Sequence, residues 1–169
     1  MAIESVGVIG GGAWGTALAQ TLRLAGRRVT LWAREAETVE DINERHVNRT
    51  FLPGVPLDEG LRATDDLGAL ATMDAILMVA PAQHVRSLAT QLRPALHAGQ
   101  PIVLCAKGIE QTTGRMLGDV LSEVLPEQTL AVLSGPSFAA DVARGLPAAL
   151  TIACQREEVG RELAERMGY

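Results

Sequence analysis

The stretch VGVIGGGAWGTALA, residues 6–19, constrains the fold more than any other part of the chain. An apolar run suited to a strand buried on both faces breaks at Gly10, Gly11 and Gly12. It resumes after Trp14 and Gly15 as alanine-rich helical sequence. Gly10, Gly12 and Gly15 have the spacing G-x-G-x-x-G. Alone, that spacing is a weak signal that any flexible turn could satisfy. Placed between a strand and a helix, with a second strand at the βαβ distance, it is far more specific. Gly10 permits a tight turn, Gly12 lets the backbone approach a pyrophosphate, and Gly15 lets helix and strand pack closely. Gly11 is expected to add backbone freedom. The free N–H groups and the positive end of the helix dipole then attract the anion.

Downstream, short apolar runs alternate with helical patterns. Strands are predicted at 6–9, 29–32, 75–79, 102–105, 130–133 and 148–153. Helices are predicted at 14–25, 35–48, 82–92, 116–125 and 157–167. Gly26 is the expected left-handed cap of the first helix, and Val39, Ile42 and Val47 are the apolar positions of the second. Between them and the third strand lies RTFLPGVPLDEG, a Pro/Gly-rich loop too long for a simple turn. Strands separated by helices pair in parallel through right-handed crossovers. The expected fold is therefore α/β, a Rossmann-type doubly wound, mostly parallel sheet with helices on both faces. Ligands of such sheets lie beyond the carboxyl ends of the strands, so the informative residues should follow each strand.

Composition narrows the function further. The 169 residues, 47% of them hydrophobic, suffice for one domain spanning 1–169. A net charge of −5 without a basic block gives no nucleic-acid surface. No run reaches the roughly 18 apolar residues of a membrane span. The first apolar run follows Glu4 and stops at the glycines, unlike a signal peptide, so a cytoplasmic location is expected. Cys105 and Cys154 sit in apolar runs and read as buried, reduced thiols. No Cys/His spacing suggests a metal.

The glycine turn points to a dinucleotide cofactor. Trp14 either plugs the core or covers the cofactor from the helix N-terminus. After the second strand, LWAREAE places Arg34 where a guanidinium can pair with a 2′-phosphate. Glu35 follows at a spacing that could still serve a ribose hydroxyl. NADP(H) is therefore expected ahead of NAD(H). Pro81 can start a turn beside the cofactor. His84 lacks an obvious acid partner and reads as an ordinary surface histidine. Lys107, the sole lysine of the chain, emerges at the ligand edge before Gly108 and can hold a phosphate or polarise a carbonyl. Gly135 and Ser137 can offer an amide and a hydroxyl to an oxygen-rich ligand. Ser137 serves equally well as a helix N-cap.

Taken together, GGGAWGTALA, LWAR, FLPGV, AKGIE and SGPSFAADVARGLPAAL resemble, in order and across nearly the whole chain, the bacterial NAD(P)-dependent glycerol-3-phosphate dehydrogenases. The resemblance implies reversible hydride transfer between dihydroxyacetone phosphate and sn-glycerol 3-phosphate, feeding phospholipid synthesis. It puts Ala13, Trp14 and Ala139 against the cofactor, and Arg34 near its adenosine phosphate. Lys107 would touch both cofactor and substrate, and Gly135 and Ser137 the substrate. Asp141 and Ala148 stand where the family often has Glu and Thr. The family's catalytic lysine and further phosphate ligands lie on a helical C-terminal domain that 1–169 does not include. The resemblance allows a homodimer of the full-length enzyme without fixing one. The chain is thus expected to be the cofactor half of an enzyme, binding cofactor but hardly turning over alone. A free-standing NADP(H)-binding regulatory module is one alternative. Another reductase of small hydroxy or keto acids is a second, which KGIE and SGPSFA argue against.

Overall fold

The computed structural model describes residues 3–168. Its strands are β1 (Ser5–Ile9), β2 (Arg28–Trp32), β3 (Arg62–Thr64), β4 (Ala75–Met78), β5 (Pro101–Leu104), β6 (Thr129–Ser134) and β7 (Thr151–Cys154). They form one 7-stranded sheet in the order β3-β2-β1-β4-β5-β6-β7. From β1 to β6 all pairings are parallel, which is the expected doubly wound arrangement. β7 departs from it by running antiparallel to β6, with Val132 opposite Ala153. The reason is the connection. Its only helix, α5 (Ala139–Ala143), is 5 residues long and rises about 7.5 Å. That covers less than half of the roughly 20 Å of a six-residue strand, and the connection brings β7 in from the edge where β6 ends.

Alternation along the strands sorts the core into two layers. Ala75, Leu77, Val103, Ala131 and Leu133 face one way, beside Leu18 and Leu22 of α1 (Ala13–Leu24), Val142 of α5 and Leu163 of α6 (Glu157–Met167). Ile76, Met78, Ile102 and Leu104 face the other, against Val85, Leu88 and Leu92 of α3 (Val85–Leu92) and Leu117 and Leu121 of α4 (Leu117–Val124). Gly26 (φ 80°) ends α1 as expected: its N–H reaches Arg23 O, and the Arg27 N–H reaches Leu22 O.

The predicted helix 35–48 is shorter and less regular. α2 (Ala36–Glu40) continues as a π-turn, Asp41–Arg45, and stops at left-handed His46 (φ 53°). Buried Asp41 is held there by Arg45 and Arg49 (2.9 and 2.7 Å), so Val47 and Asn48 fall outside the helix. β3 lacks a sequence signal because only Ala63 of its three residues is buried. Cys105 is buried, and burial pushes its thiol up. Cys154 is only half-buried, contrary to expectation, because β7 is the outermost strand.

One polar latch fixes the register of the central pair β1–β4. Asp74 Oδ2 accepts from Ser5 Oγ (2.7 Å), Ser5 N (2.8 Å) and Glu4 N (3.0 Å). The Asp74 N–H in turn donates to Ser5 O at 3.0 Å. Burial works to raise the Asp74 carboxyl, but the Ser5 hydroxyl and the two N–H groups outweigh it and hold it below the ordinary range.

Candidate functional site

The glycines of the first turn have different reasons to be glycine. Gly10 lies at φ 131°, and a Cβ there would sit 3.1 Å from Ala80 N. A Cβ on Gly15 would run into the Gly10 carbonyl oxygen, so the helix can approach the strand only without one. Gly11 needs space, where the sequence suggested freedom: its φ is not left-handed, and a Cβ would lie 2.6 Å from Ala33 Cβ. Gly12 differs from all three. A Cβ there would meet nothing within 4 Å, so protein packing does not require glycine. Gly12 is also the N-cap of α1, whose end carries no side-chain cap and no acidic residue in its first turn. The positive end of the helix is therefore left for an external anion, and the open side of Gly12 gives it room.

Asn48, missed by the sequence reading, stabilises this turn. It is buried and donates to Gly11 O and Thr16 Oγ1, both at 2.8 Å, while accepting from Phe51 N at 3.0 Å. The Pro/Gly-rich loop is thereby tied to the glycine turn. An asparagine just before FLPG was the available signal, masked by the helical pattern that ran through it.

A cavity of about 650 Å³ opens over the turn. Gly10, Gly12, Ala13, Trp14 and Gly15 line its floor, with Arg34 and Glu35 at one side and Pro81 and His84 at another. Arg34 is 73% exposed, and its Nε and Nη2 both donate to Glu35 Oε1, at 3.1 and 2.9 Å. His84 is exposed and has no carboxylate partner among the described residues. A second cavity of about 430 Å³ shares Ala13, Trp14, Val79, Ala80 and Pro81 with the first, so the two form one continuous cleft at the carboxyl ends of the strands. Trp14 packs against the core, as the first of its two expected roles requires, and also lines both parts of the cleft.

The second cavity collects the remaining candidates. Lys107, Gly135, Ser137 and Ala139 all line it, with Cys105 and Phe138. Lys107 is exposed and forms no ion pair among the described residues. Gly108 (φ 128°) turns the chain directly after it. A Cβ on Gly135 would lie 2.8 Å from Leu150 Cδ2, so this glycine is set by the close approach of the segment leading into β7. Ser137 is not the cap of α5: Phe138 holds that position and no side chain caps it. The hydroxyl of Ser137 thus remains available to the cleft. Among the described residues no group of His, Cys, Asp and Glu could hold a metal ion, and no helix is long and apolar enough to cross a membrane.

Comparison with known proteins agrees with this arrangement. Residues 5–160 match the family described as NAD-dependent glycerol-3-phosphate dehydrogenase N-terminus. A glycerol-3-phosphate dehydrogenase [NAD(P)+] of Paramagnetospirillum magneticum is 57% identical over 98% of this chain and 60% of its own length. One from Parvibaculum lavamentivorans is 54% identical over 99% of this chain and 50% of its own. The crystal structure of glycerol-3-phosphate dehydrogenase from Coxiella burnetii superposes with a TM-score of 0.91 at 34% identity, covering 98% of this chain and 51% of that one. The chain thus spans about half the length of the curated relatives it matches. With the glycine turn, the strand order and the cleft all in agreement, the chain belongs to the NAD-dependent glycerol-3-phosphate dehydrogenase family, as its N-terminal part.

Proposed function

We propose that the chain is the cofactor-binding part of a cytoplasmic dehydrogenase that interconverts dihydroxyacetone phosphate and sn-glycerol 3-phosphate, with NADP(H) preferred to NAD(H). The observation that carries this reading is the uncapped end of α1 beneath the open side of Gly12, in a cleft continuous with Lys107 and Ser137. The residues fit a dinucleotide: the glycine turn would take the pyrophosphate, Arg34 and Glu35 would lie toward the adenosine ribose, and Trp14, Pro81 and Ala139 would line the cleft toward the nicotinamide. When bound, the nicotinamide supplies the hydride to the carbonyl carbon of dihydroxyacetone phosphate and takes it back from sn-glycerol 3-phosphate.

The chain's own residues prepare that transfer. The Lys107 ammonium neutralises charge on the substrate and helps to polarise its oxygen. The Gly135 N–H and the Ser137 hydroxyl orient the substrate against the cofactor. Apolar Trp14, Val79 and Phe138 limit water. The proton acceptor and donor for the alcohol oxygen belongs to a helical C-terminal domain. Two uncovered surfaces support that division. Phe138 is 79% exposed beside the cavity, and Val132 and Ala153 leave one face of β6–β7 uncovered.

The chain should bind NADPH saturably, measured by fluorescence, yet oxidise it scarcely at all with dihydroxyacetone phosphate. Gly12→Val should abolish binding while leaving the circular dichroism and melting temperature near wild type, since its side chain fills ligand space alone. Normal NADPH binding by Gly12→Val would reduce the turn to a structural feature. Turnover by the chain alone near an ordinary enzyme's rate of about 10 per second would show that the acid–base group lies within it.

A further inference from the structure

We propose that Glu110, together with Gln83 and Arg86, is a positioning residue for Lys107. These side chains clamp the loop that carries the lysine onto the segment that carries Pro81, and so set where Lys107 stands across the cleft. The proposal rests on Lys107 being a substrate contact.

Sheet hydrogen bonding stops just before the lysine, where the N–H groups of Cys105 and Ala106 reach Met78 O at 2.9 and 3.2 Å. After it, side chains take over. The amide of Gln83 acts like a short piece of strand, donating to Ile109 O and accepting from Gln111 N, both at 2.9 Å. Glu110 is 6% exposed. Its two oxygens accept Arg86 Nε at 2.7 Å and Nη2 at 3.1 Å, and Thr113 Oγ1 donates to it at 2.5 Å. Arg86 also donates to Glu123 of α4 at 2.9 Å, which holds the guanidinium from a second side. The loop closes on itself, with Glu110 N–H to Arg115 O (2.9 Å) and Gly114 N–H to Glu110 O (2.8 Å).

Lys107 is consequently fixed on both flanks while its own ammonium forms no ion pair among the described residues. Exposed ion pairs contribute little, but a bidentate Arg–carboxylate pair whose carboxylate is buried fixes geometry as well as energy. Gln83 and Arg86 belong to the segment Ala82–His84 and to α3, directly after Pro81 of the cofactor cavity. The clamp therefore joins the two sides of the cleft. A lysine on an unclamped loop would sample many positions, and a misplacement of about 1 Å costs roughly a hundredfold in rate.

The test uses the full-length protein containing this chain, with dihydroxyacetone phosphate and NADPH as probes. Glu110→Gln and, separately, Gln83→Ala should each lower kcat/KM for dihydroxyacetone phosphate by about tenfold or more, a larger loss than any weakening of NADPH binding. Lys107→Met should cost more. The double variant Glu110→Gln/Lys107→Met should be no worse than Lys107→Met alone, because the clamp acts through the lysine. Multiplying losses in the double variant would overturn the proposal. So would lowered melting temperatures with unchanged kcat/KM in both Glu110→Gln and Gln83→Ala. If Lys107→Met itself costs nothing, or wild type does not reduce dihydroxyacetone phosphate, the functional reading fails and the clamp proposal falls with it. If Lys107→Met is impaired and the clamp variants are not, the clamp alone is wrong.

Discussion

Nε and Nη2 of Arg34 engage one oxygen of Glu35, so part of the group suited to a 2′-phosphate is already paired with a carboxylate. A 2′-phosphate competes with the Glu35 carboxylate for the guanidinium, whereas NADH leaves the pair intact. A charge-assisted hydrogen bond contributes about 1.5–3 kcal/mol, so Arg34→Ala should weaken NADPH about 10- to 150-fold. The lower end is expected, because Arg34 is 73% exposed and screened. NADH should hardly change. Glu35→Gln should tighten NADPH by up to roughly fivefold, the value of an exposed pair. Dissociation constants for both cofactors, at low and high salt, check this; equal weakening of the two by Arg34→Ala would remove it as the discriminator. Arg34, Lys107 and the glycines were legible in the sequence because each follows a strand whose position could be read. Asn48 was not, because its role depends on Gly11, which is distant in the chain and close only after folding.

Among the elements, α2 and its π-turn show how a charge inside a short helix sets its end. The Arg49 guanidinium, followed by that of Arg45, holds the Asp41 carboxyl below the ordinary carboxylate range against the opposing effect of burial. A depressed carboxylate contributes stability that is complete above its unfolded value of about 3.9. That contribution is lost as pH falls through the lower folded value. The stability gap between wild type and Asp41→Asn, measured by urea denaturation, should be constant from about pH 7 to pH 5 and shrink below about pH 4. A gap that widens on acidification would contradict the assignment. The sequence placed α6 at 157–167 as observed, since acidic residues at its start and an apolar stripe agree. It overran α2 because periodicity does not register the left-handed turn at His46, which Asp41 and its arginines impose from outside the local pattern.

On the scale of the molecule, alternating strands and helices made a mostly parallel, doubly wound sheet legible, and the side on which ligands sit followed from it, while the strand order came only with the structure. The reversed edge at β7 was not legible, because the alternation of strand and helix does not register the direction in which the mostly irregular connection around α5 brings the last strand in. The same topology has a consequence in time. The β1–β2 pair joins Val6 to Val29 and closes a modest loop, but β1–β4 joins Val6 to Ala75. That closure costs more chain entropy than the local pairings of β4 with β5 and of β5 with β6, and it joins the two halves of the sheet. The Asp74 latch closes with it, across 69 residues of chain. Asp74→Ala should therefore slow refolding in stopped-flow measurements more than it speeds unfolding, with a φ-value well above 0.5. An effect confined to the unfolding rate would place the latch after the barrier. Because its partners are a hydroxyl and two N–H groups at fixed positions, a chain with β1 and β4 slipped by one residue cannot close it. Such a slipped pairing gains nothing from the latch, so the latch favours the native register at the moment the two halves of the sheet join.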